Sequence, residues 1–326
     1  MTDAPHEPTD AGPKPLPAGH RSGFVAICGR PNVGKSTLLN ALLGEAIAVA
    51  TPHPQTTREK LLGVWTEEKF QAVLVDTPGI HRARSALNQY MVGQALAGAR
   101  DVDLVLLLVE TPMLRSAEDA QAWEPGEVAL EALAMLAKLG RPIALVMTKI
   151  DRISNRDLML PVLETMSALH SFDSIVPTSA ETGEGLEQLR AQVSDRLPEG
   201  PRYYDDESLS DRPMRWHAAE LIRGVLFEHL LDEVPYSCAV VVTSYKEGKE
   251  SDRISAKIYV ERPSQKGLVI GKGGSMIKKL REGSQVRIAN LTARPCELRL
   301  EIDVAKNWTR DPGKLEKLGY HEENDK

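Results

Sequence analysis

One octapeptide near the beginning of the chain constrains the fold more than any other feature: Gly29-Arg30-Pro31-Asn32-Val33-Gly34-Lys35-Ser36. An apolar run, residues 24–28, precedes it, and a segment with helical spacing begins at Thr37. A strand, a glycine loop and a helix in this order are typical of a phosphate-binding loop, because backbone N–H groups and the helix dipole favour a polyphosphate there. We expect Lys35 to reach the terminal phosphates and the Ser36 hydroxyl to ligate magnesium.

Length and composition limit the class of protein. The 326 residues suggest about two domains, and a hydrophobic content of 42% is enough for a core in each. The net charge of −6 gives no overall case for nucleic-acid binding, and the three cysteines have neither metal-site nor disulfide spacing. Because the sequence has no signal peptide and no apolar run of about 18 residues, we expect a soluble, cytoplasmic protein without a transmembrane segment. We also expect a monomer.

The pattern along the chain predicts two folded units. Five prolines in residues 1–21 predict a disordered tail. Residues 22–198 alternate short apolar runs with helical stretches, which predicts a doubly wound, mostly parallel α/β sheet. The runs expected to form its later strands are residues 70–75, 104–109, 143–147 and 174–176. A linker is predicted at 199–213, and residues 214–326 read as a smaller α+β domain of order αββααβ with a C-terminal extension.

Ligands of such a sheet bind at the carboxyl ends of its strands, where two polar segments stand. In Asp76-Thr77-Pro78-Gly79, the carboxylate is expected to hold magnesium through water, and the glycine N–H to sense a terminal phosphate. In Thr148-Lys149-Ile150-Asp151, the carboxylate can accept hydrogen bonds from the N1–H and exocyclic amine of guanine, a donor pair that adenine lacks. Ser179-Ala180 can offer a backbone N–H to the guanine O6.

Across residues 23–197 the order and spacing of these motifs resemble the TRAFAC-class translation-factor-like GTPases. The resemblance implies that Thr57, in Gln55-Thr56-Thr57-Arg58, is a magnesium ligand of the first switch, and that Asp76 and Gly79 form the second switch. It implies catalytic roles for Lys35, Thr57 and Gly79, and magnesium binding by Ser36, Thr57 and Asp76. The residues that it implies for GTP binding are Gly29, Arg30, Pro31, Asn32, Val33, Gly34, Lys35, Ser36, Thr37, Asp76, Thr77, Pro78, Gly79, Ile80, Thr148, Lys149, Ile150, Asp151, Ser179 and Ala180.

Two positions depart from the pattern of that class. Thr148 stands where an Asn usually braces the base and the phosphate loop, and its single short hydroxyl is expected to replace only part of this function. Ile80 stands where many GTPases have the Gln that orients the attacking water, so we expect slow intrinsic turnover. In relatives with an apolar residue here, an Asn of the phosphate loop helps to bind potassium. Asn32, with Thr51, is therefore a candidate K⁺ site.

The second domain contains Gly271-Lys272-Gly273-Gly274, which fits the GXXG loop of a KH domain. Small residues let two helices meet closely and let a nucleic-acid backbone press against the turn. Residues 257–299 contain ten Lys or Arg against three Asp or Glu, whereas residues 200–256 contain seven against eleven, so the basic surface is local. We expect single-stranded RNA as the partner. The phosphate contacts expected besides the loop glycines are Lys272, Lys278, Lys279 and Arg281.

A GTPase domain followed by one KH domain is similar to the Era family of bacterial ribosome-assembly GTPases. The resemblance rests also on Asn307-Trp308 and Leu318-Gly319-Tyr320 near the end of the chain. It implies binding near the 3′ end of 16S rRNA, a role in maturation of the small (30S) subunit, and peripheral association with the inner membrane. GTP with Mg²⁺ is expected to order the Thr57 and Gly79 segments and so to change RNA affinity.

Two alternatives remain open at this point. One is a passive RNA-binding protein with a relic nucleotide fold, which Thr148 and Ile80 favour. The other is a metabolic P-loop enzyme such as a kinase, against which the guanine motif argues.

Overall fold

The computed structural model describes residues 16–50, 57–81 and 85–321. Among these residues, six strands form the first sheet, in the spatial order β2-β3-β1-β4-β5-β6. The strands are β1 (Arg21–Gly29), β2 (Leu61–Thr66), β3 (Phe70–Asp76), β4 (Leu104–Glu110), β5 (Ile143–Thr148) and β6 (Ser174–Pro177). Every neighbouring pair is parallel except β2 and β3, which are antiparallel. The prediction of a doubly wound, mostly parallel sheet is confirmed.

Helices cover both faces of this sheet. They are α1 (Lys35–Leu43), α2 (Ala86–Arg100), α3 (Ala117–Gln121), α4 (Glu127–Ala137), α5 (Met159–Ser167) and α6 (Leu186–Arg196). Strand β1 shows the arrangement, because Val25 and Ile27 face the core beneath α1 and α6, while Ala26 and Cys28 face the core beneath α2, α4 and α5. Burial on both faces explains why the central strands are continuous apolar runs.

The end of the predicted tail and the predicted linker both contact the first sheet or its flanks. Residues 16–21 of the predicted tail are described, and β1 begins at Arg21. His20 is buried, and its carbonyl accepts a 3.0 Å hydrogen bond from the Gly200 N–H. The predicted linker lies along the sheet: the Val64 N–H of β2 donates to the Leu209 carbonyl at 3.0 Å. These contacts occur because unpaired backbone groups at the ends and edge of the sheet need partners.

The second sheet has the spatial order β7-β8-β9, with β7 antiparallel and β9 parallel to β8. Its strands are β7 (Ala239–Lys246), β8 (Asp252–Val260) and β9 (Cys296–Val304). Its helices are α7 (Met214–His229), α8 (Pro263–Ile270) and α9 (Ser275–Thr292), followed by a C-terminal helix, α10 (Pro312–Lys317). The predicted order αββααβ is confirmed, and α10 lies in the segment predicted as a C-terminal extension.

An apolar cluster joins the two domains. Leu87, Tyr90 and Met91 on α2 pack with Trp308 and Leu315 of the C-terminal extension. The ring of Tyr90 also meets that of Tyr320, with centroids 5.8 Å apart. The helix that follows the second predicted switch therefore packs directly against the C-terminal extension of the second domain.

Candidate nucleotide and RNA sites

The phosphate loop connects β1 to α1 and lines a cleft of about 680 Å³. Gly29 has a φ of 150°, and a Cβ there would lie 2.6 Å from the Leu108 carbonyl oxygen. Glycine is therefore required where β1 runs beside β4. Asn32 and Gly34 also have positive φ, which lets the loop curve back towards the beginning of α1. The loop has the backbone that a phosphate cradle needs.

Lys35 is buried inside the loop that precedes it. Its Nζ donates to the carbonyl oxygens of Arg30 at 3.1 Å and Gly29 at 3.4 Å. Burial lowers the pKa of Lys35 below its usual value, and the nearby Asp76 carboxylate opposes part of this shift. The ammonium group thus stands at the loop interior, where a phosphate would be its natural partner.

Three oxygen-bearing side chains meet beside Lys35. The Ser36 hydroxyl donates to Asp76 Oδ2 at 2.8 Å, and the Thr57 hydroxyl lies 3.0 Å from Ser36 Oγ and 3.4 Å from Asp76 Oδ2. Asp76 is fully buried, and burial raises its pKa to about 6 although Lys35 and both hydroxyls oppose the shift. Within the described residues Asp76 Oδ1 has no hydrogen-bond partner. This set of hard oxygen donors fits a magnesium ion.

The segment after β5 forms the other end of the cleft. The Thr148 hydroxyl donates to the Val33 carbonyl at 2.7 Å, so it braces the phosphate loop. Lys149 has a φ of 60°, and its Nζ donates to the Asn32 carbonyl at 2.8 Å. Asp151 is exposed and lines the cleft. The segment is therefore attached to the phosphate loop at two points while its carboxylate faces the open space.

Thirteen of the predicted GTP-site and magnesium-site residues line the cleft: Arg30, Pro31, Asn32, Gly34, Lys35, Ser36, Thr37, Thr57, Gly79, Thr148, Lys149, Asp151 and Ala180. Gly79 is required there, because a Cβ would lie 2.6 Å from the Pro31 ring. Two other predicted residues, Ile80 and Thr77, are buried beneath the cleft surface and do not line it. The Ile80 side chain is buried in the core under α2, and Thr77 donates to the Ile27 carbonyl at 2.8 Å. Thr51, the second predicted potassium ligand, lies outside the described residues.

Ser179 and Ala180 have different structural roles in the loop after β6. The Ser179 N–H donates to the Glu184 carbonyl at 2.9 Å, and its hydroxyl accepts from the Thr182 N–H at 3.2 Å. Ser179 therefore shapes the loop after β6, and Ala180 is the member of the pair that lines the cleft. The expectation that this pair offers an N–H to a base accordingly falls on Ala180.

Sequence reasoning missed Glu110, the last residue of β4, which also lines the cleft. Its carboxylate pairs with Lys149 Nζ at 3.0 Å and Arg152 Nη1 at 2.8 Å, and also with Arg30. One acidic side chain thus joins the phosphate loop to the segment after β5. The available signal was position, because the carboxyl end of a central parallel strand is where ligand-facing residues gather.

The GXXG segment forms a tight turn between α8 and α9. Gly271, Gly273 and Gly274 all have positive φ, and a Cβ at Gly271 would lie 2.7 Å from Met276. The predicted basic contacts are all exposed: Lys272, Lys278, Lys279 and Arg281. The turn therefore presents backbone and positive charge to solvent, as a KH loop requires.

The structure separates two of these basic residues. Lys279 and Arg281 are two positions apart on α9, and such residues are about 200° apart around a helix. A Cβ at Gly283, four residues after Lys279, would lie 3.2 Å from Val225 of α7, whereas Gln285, four residues after Arg281, donates to the Cys296 carbonyl at the beginning of β9. Lys279 is therefore on the α7 side, and Arg281 is on the side of β9, an edge strand of the second sheet in the described part of the chain.

In the part of the chain that the structure describes, no helix combines the length and hydropathy needed to cross a membrane.

Comparison with known proteins matches both domains. A family model described as a 50S ribosome-binding GTPase matches residues 24–149, and one described as a KH domain matches residues 233–309. GTPase Era of Geobacter metallireducens is 45% identical over 302 residues, which cover 92% of this chain and 98% of the relative. GTPase Era of Lactobacillus delbrueckii subsp. bulgaricus is 39% identical over 302 residues, covering 92% and 96%.

Two solved structures match the whole two-domain arrangement. A single-residue variant of Aquifex aeolicus Era bound to GDP·AlF4⁻ superposes with a TM-score of 0.84 and 31% identity, covering 92% of this chain and 99% of that one. Era in complex with MgGDPNP and nucleotides 1506–1542 of 16S ribosomal RNA superposes with a TM-score of 0.85, at the same identity and coverage.

Proposed function

The chain belongs to the Era family of GTPases with a C-terminal KH domain, and on that premise we propose that it binds 16S rRNA near its 3′ end and acts in assembly and maturation of the 30S subunit. It is a GTPase with an RNA-binding domain. The observation that carries the proposal is the relative solved with both MgGDPNP and nucleotides 1506–1542 of 16S rRNA. This chain likewise contains both a cleft that Asp151, the proposed guanine-binding residue, lines and a KH domain.

The proposed nucleotide site uses the cleft described above. Lys35 and the loop N–H groups neutralise the terminal phosphates, and Asp151 accepts from the guanine N1–H and amine. Ser36 and Thr57 would ligate Mg²⁺ directly, and Asp76 would hold it through water. Bound magnesium supplies positive charge to the β- and γ-phosphate oxygens, where negative charge develops during hydrolysis.

We propose slow intrinsic hydrolysis, because the side chain after Gly79 cannot polarise water. Ile80 is apolar and is buried away from the cleft. The remaining oriented group of the second switch is the Gly79 N–H, which would contact the terminal phosphate. A potassium ion held in part by Asn32 would add the positive charge that an arginine supplies in other GTPases.

The proposed RNA site comprises the loop residues Gly271 to Gly274 and the exposed basic side chains beside them. The loop N–H groups and Lys272 would meet phosphates, and Lys278 and Arg281 would extend that contact along α9. Lys279, on the α7 side of the helix, would contribute mainly to the general positive field. Within the described residues β9 is an edge strand of the second sheet, and unstacked bases would lie along it.

We propose that nucleotide state controls RNA affinity. GTP orders the segments that carry Thr57 and Gly79. Helix α2 and the residues after Thr57 contact the second domain, and through these contacts the ordering changes the position of the KH domain. Hydrolysis of GTP then releases the RNA from the KH domain.

We propose that the protein acts in the cytoplasm. Peripheral association with the inner membrane, the monomeric state and the domain boundaries at 198/199 and 213/214 stay predictions.

The test is ultraviolet crosslinking of the protein to total cellular RNA with either a GTP analogue or GDP present. The expected result is enrichment of the 3′ end of 16S rRNA, to a different extent with the two nucleotides. The Lys35→Ala variant should retain the RNA but lose the nucleotide dependence. Crosslinks spread evenly over unrelated RNAs would contradict the proposed target, and equal enrichment with both nucleotides would contradict the coupling.

A further inference from the structure

Arg58 is a buried cation between the two domains, with an exposure of only 2%. It belongs to the GTPase domain, directly after Thr57 and before β2. A buried charge is costly unless it is hydrogen-bonded or paired, and the groups around Arg58 engage both of its terminal nitrogens, while its Nε has no hydrogen-bond partner among the described residues. Those groups belong to the second domain.

The guanidinium group occupies a socket formed by the turn before β7 and the C-terminal extension. Its Nη1 donates to the Cys238 carbonyl at 2.7 Å and to the Tyr320 hydroxyl at 3.0 Å. Its Nη2 donates to the Tyr236 carbonyl at 3.0 Å and the Pro235 carbonyl at 3.4 Å. The group also lies over the Trp308 ring, 5.6 Å from its centroid. Only a planar fork of donors fits this set of acceptors.

Trp308 and Tyr320 form the wall of the socket and are themselves fixed. Their rings are stacked with centroids 5.7 Å apart, and the Trp308 indole N–H donates to the Ser237 carbonyl at 2.8 Å. Tyr320 also touches Tyr90 of α2. The socket wall is thus held by stacking and hydrogen bonding within the second domain, and it also contacts the helix after the second switch.

One peptide bond connects this socket to the predicted magnesium site. The Thr57 hydroxyl points to Ser36 and Asp76, whereas the side chain of the next residue points into the other domain. Consecutive Cα atoms are held about 3.8 Å apart, so Thr57 cannot move far while Arg58 stays in its socket.

Residues on both sides of Arg58 in the sequence also contact the second domain. Gly224 of α7 lets Val49 approach so closely that a Cβ there would lie 2.6 Å from Val49 Cγ1. The Glu59 carboxylate accepts a 2.7 Å hydrogen bond from the Trp216 indole N–H. Val49 and Glu59 are therefore, like Arg58, in contact with the second domain.

We propose that Arg58 is a positioning residue for GTP hydrolysis. By binding in the KH-domain socket, it holds Thr57 at the magnesium site. The geometry of that site and the position of the KH domain therefore depend on each other. This inference rests on the proposed function, because it assigns the coupling to one side chain. The dependence is reciprocal, as any coupling of two binding equilibria must be.

The test compares Arg58→Lys with Arg21→Lys in the full-length protein. Arg21 is a matched control because its guanidinium also donates to backbone carbonyls, those of Asp195 at 3.0 Å and Leu197 at 2.8 Å, but within the GTPase domain and away from the cleft. We expect Arg58→Lys to lower single-turnover hydrolysis and to raise the Mg²⁺ concentration for half-maximal rate, each by about tenfold or more. GDP affinity should stay within about twofold, because the first switch contacts the γ-phosphate end.

Two readouts do not depend on turnover. Arg58→Lys should lower the ratio of GTP-analogue affinity to GDP affinity, and it should remove the difference in RNA affinity between the two nucleotide states. Arg21→Lys should leave both unchanged. Thr57→Ala should give the same defect in hydrolysis, and the double variant Thr57→Ala/Arg58→Lys should be no worse than Thr57→Ala alone.

Tyr320→Phe approaches the socket from the other domain by removing one acceptor, and we expect it to shift the same readouts in the same direction by a smaller factor. It also carries the test should Arg58→Lys fail to fold. Wild-type magnesium dependence and a wild-type affinity ratio in these variants would overturn the inference. That outcome differs from failure of the proposed function, in which the wild-type protein itself would show no enrichment of 16S rRNA or no nucleotide dependence.

Discussion

The Thr148 hydroxyl donates a 2.7 Å hydrogen bond to the Val33 carbonyl, so the strand end that carries the guanine motif is attached directly to the phosphate loop. A threonine thus braces the loop at a position where the resemblance to other GTPases leads one to expect an Asn. The bond is fully buried, and its geometry is what a single hydroxyl can provide.

Removing that hydroxyl should weaken nucleotide binding. Thr148→Val keeps the shape of the side chain but leaves the buried Val33 carbonyl without this donor, and we expect GTP and GDP affinity to fall by about tenfold. Isothermal titration calorimetry measures the change. Thr148→Ser retains the hydroxyl and is the control. Equal affinity of the Val and Ser variants would show that the brace has no role in binding.

Asp151 should decide which base is bound. In Asp151→Asn the amide presents a donor where the guanine amine needs an acceptor, and we expect GTP affinity to fall by about a hundredfold or more. Xanthosine triphosphate has a carbonyl in place of that amine, so its affinity should rise in the same variant, which also verifies that the fold is intact. Unchanged preference for GTP would remove Asp151 from the base-binding site.

The monovalent cation should affect turnover. If a potassium ion bound near Asn32 supplies positive charge to the phosphates, hydrolysis in KCl should exceed hydrolysis in NaCl at equal ionic strength by about tenfold or more. Asn32→Ala should bring the KCl rate down to the NaCl rate. Equal turnover of the wild-type protein in the two salts would exclude this role for potassium.

Basic residues on the two sides of α9 should differ in their effect on RNA binding. We expect Arg281→Ala to weaken binding of a single-stranded 16S 3′-end RNA by about tenfold and to reduce the slope of log affinity against log salt by about one. Lys279→Ala is the matched control, with a smaller loss. Fluorescence anisotropy at several salt concentrations checks both. A larger effect of Lys279→Ala would mean that the RNA crosses the α7 side.

Stability should depend on pH through His217 of α7. Burial lowers its pKa below the usual value, although a backbone bond to Ile47 and the carboxylates of Glu220 and Asp211 oppose the shift, while Arg212 adds to it. The unfolded chain then binds more protons than the folded one, so stability is full above about pH 6.5 and is lost as the pH falls towards the lowered pKa.

The midpoint temperature of thermal unfolding should therefore decrease as the pH is lowered from 7.5 to 5.5. His217→Gln should make that decrease smaller. His321→Gln, at an exposed position, should leave it unchanged. An identical pH dependence of the wild-type protein and the His217→Gln variant would contradict the assignment.

The strand-end residues were predictable because a parallel sheet brings its carboxyl ends to one edge. Asp76, Thr148 and Asp151 all follow apolar runs. Thr148 and Asp151 line the cleft, and Asp76 lies buried against Ser36, which also lines it. Strand β2 was not predicted, because Gly63 interrupts its apolar residues and no turn signal separates it clearly from its neighbours. Its pairing with β3 is decided by a sheet edge that exists only after the domain has folded.

Arg58 shows the other limit of prediction. In the sequence it is a charged residue in a polar motif, and such residues are normally exposed. Its burial depends on carbonyl groups 177 to 180 positions later in the chain, and backbone acceptors have no sequence signature. The fold of each domain follows from local pattern, whereas the contacts between domains arise from the folded surfaces.

The hydrogen bond between Val64 and Leu209 has a consequence for dividing the molecule. The connecting segment covers the outer edge of β2, which otherwise presents unpaired N–H and C=O groups to any passing strand. A GTPase domain cut at residue 198 would lose this cover and would tend to aggregate through its edge. The connecting segment therefore helps to keep the GTPase domain from associating with other copies of itself, in addition to joining the two domains.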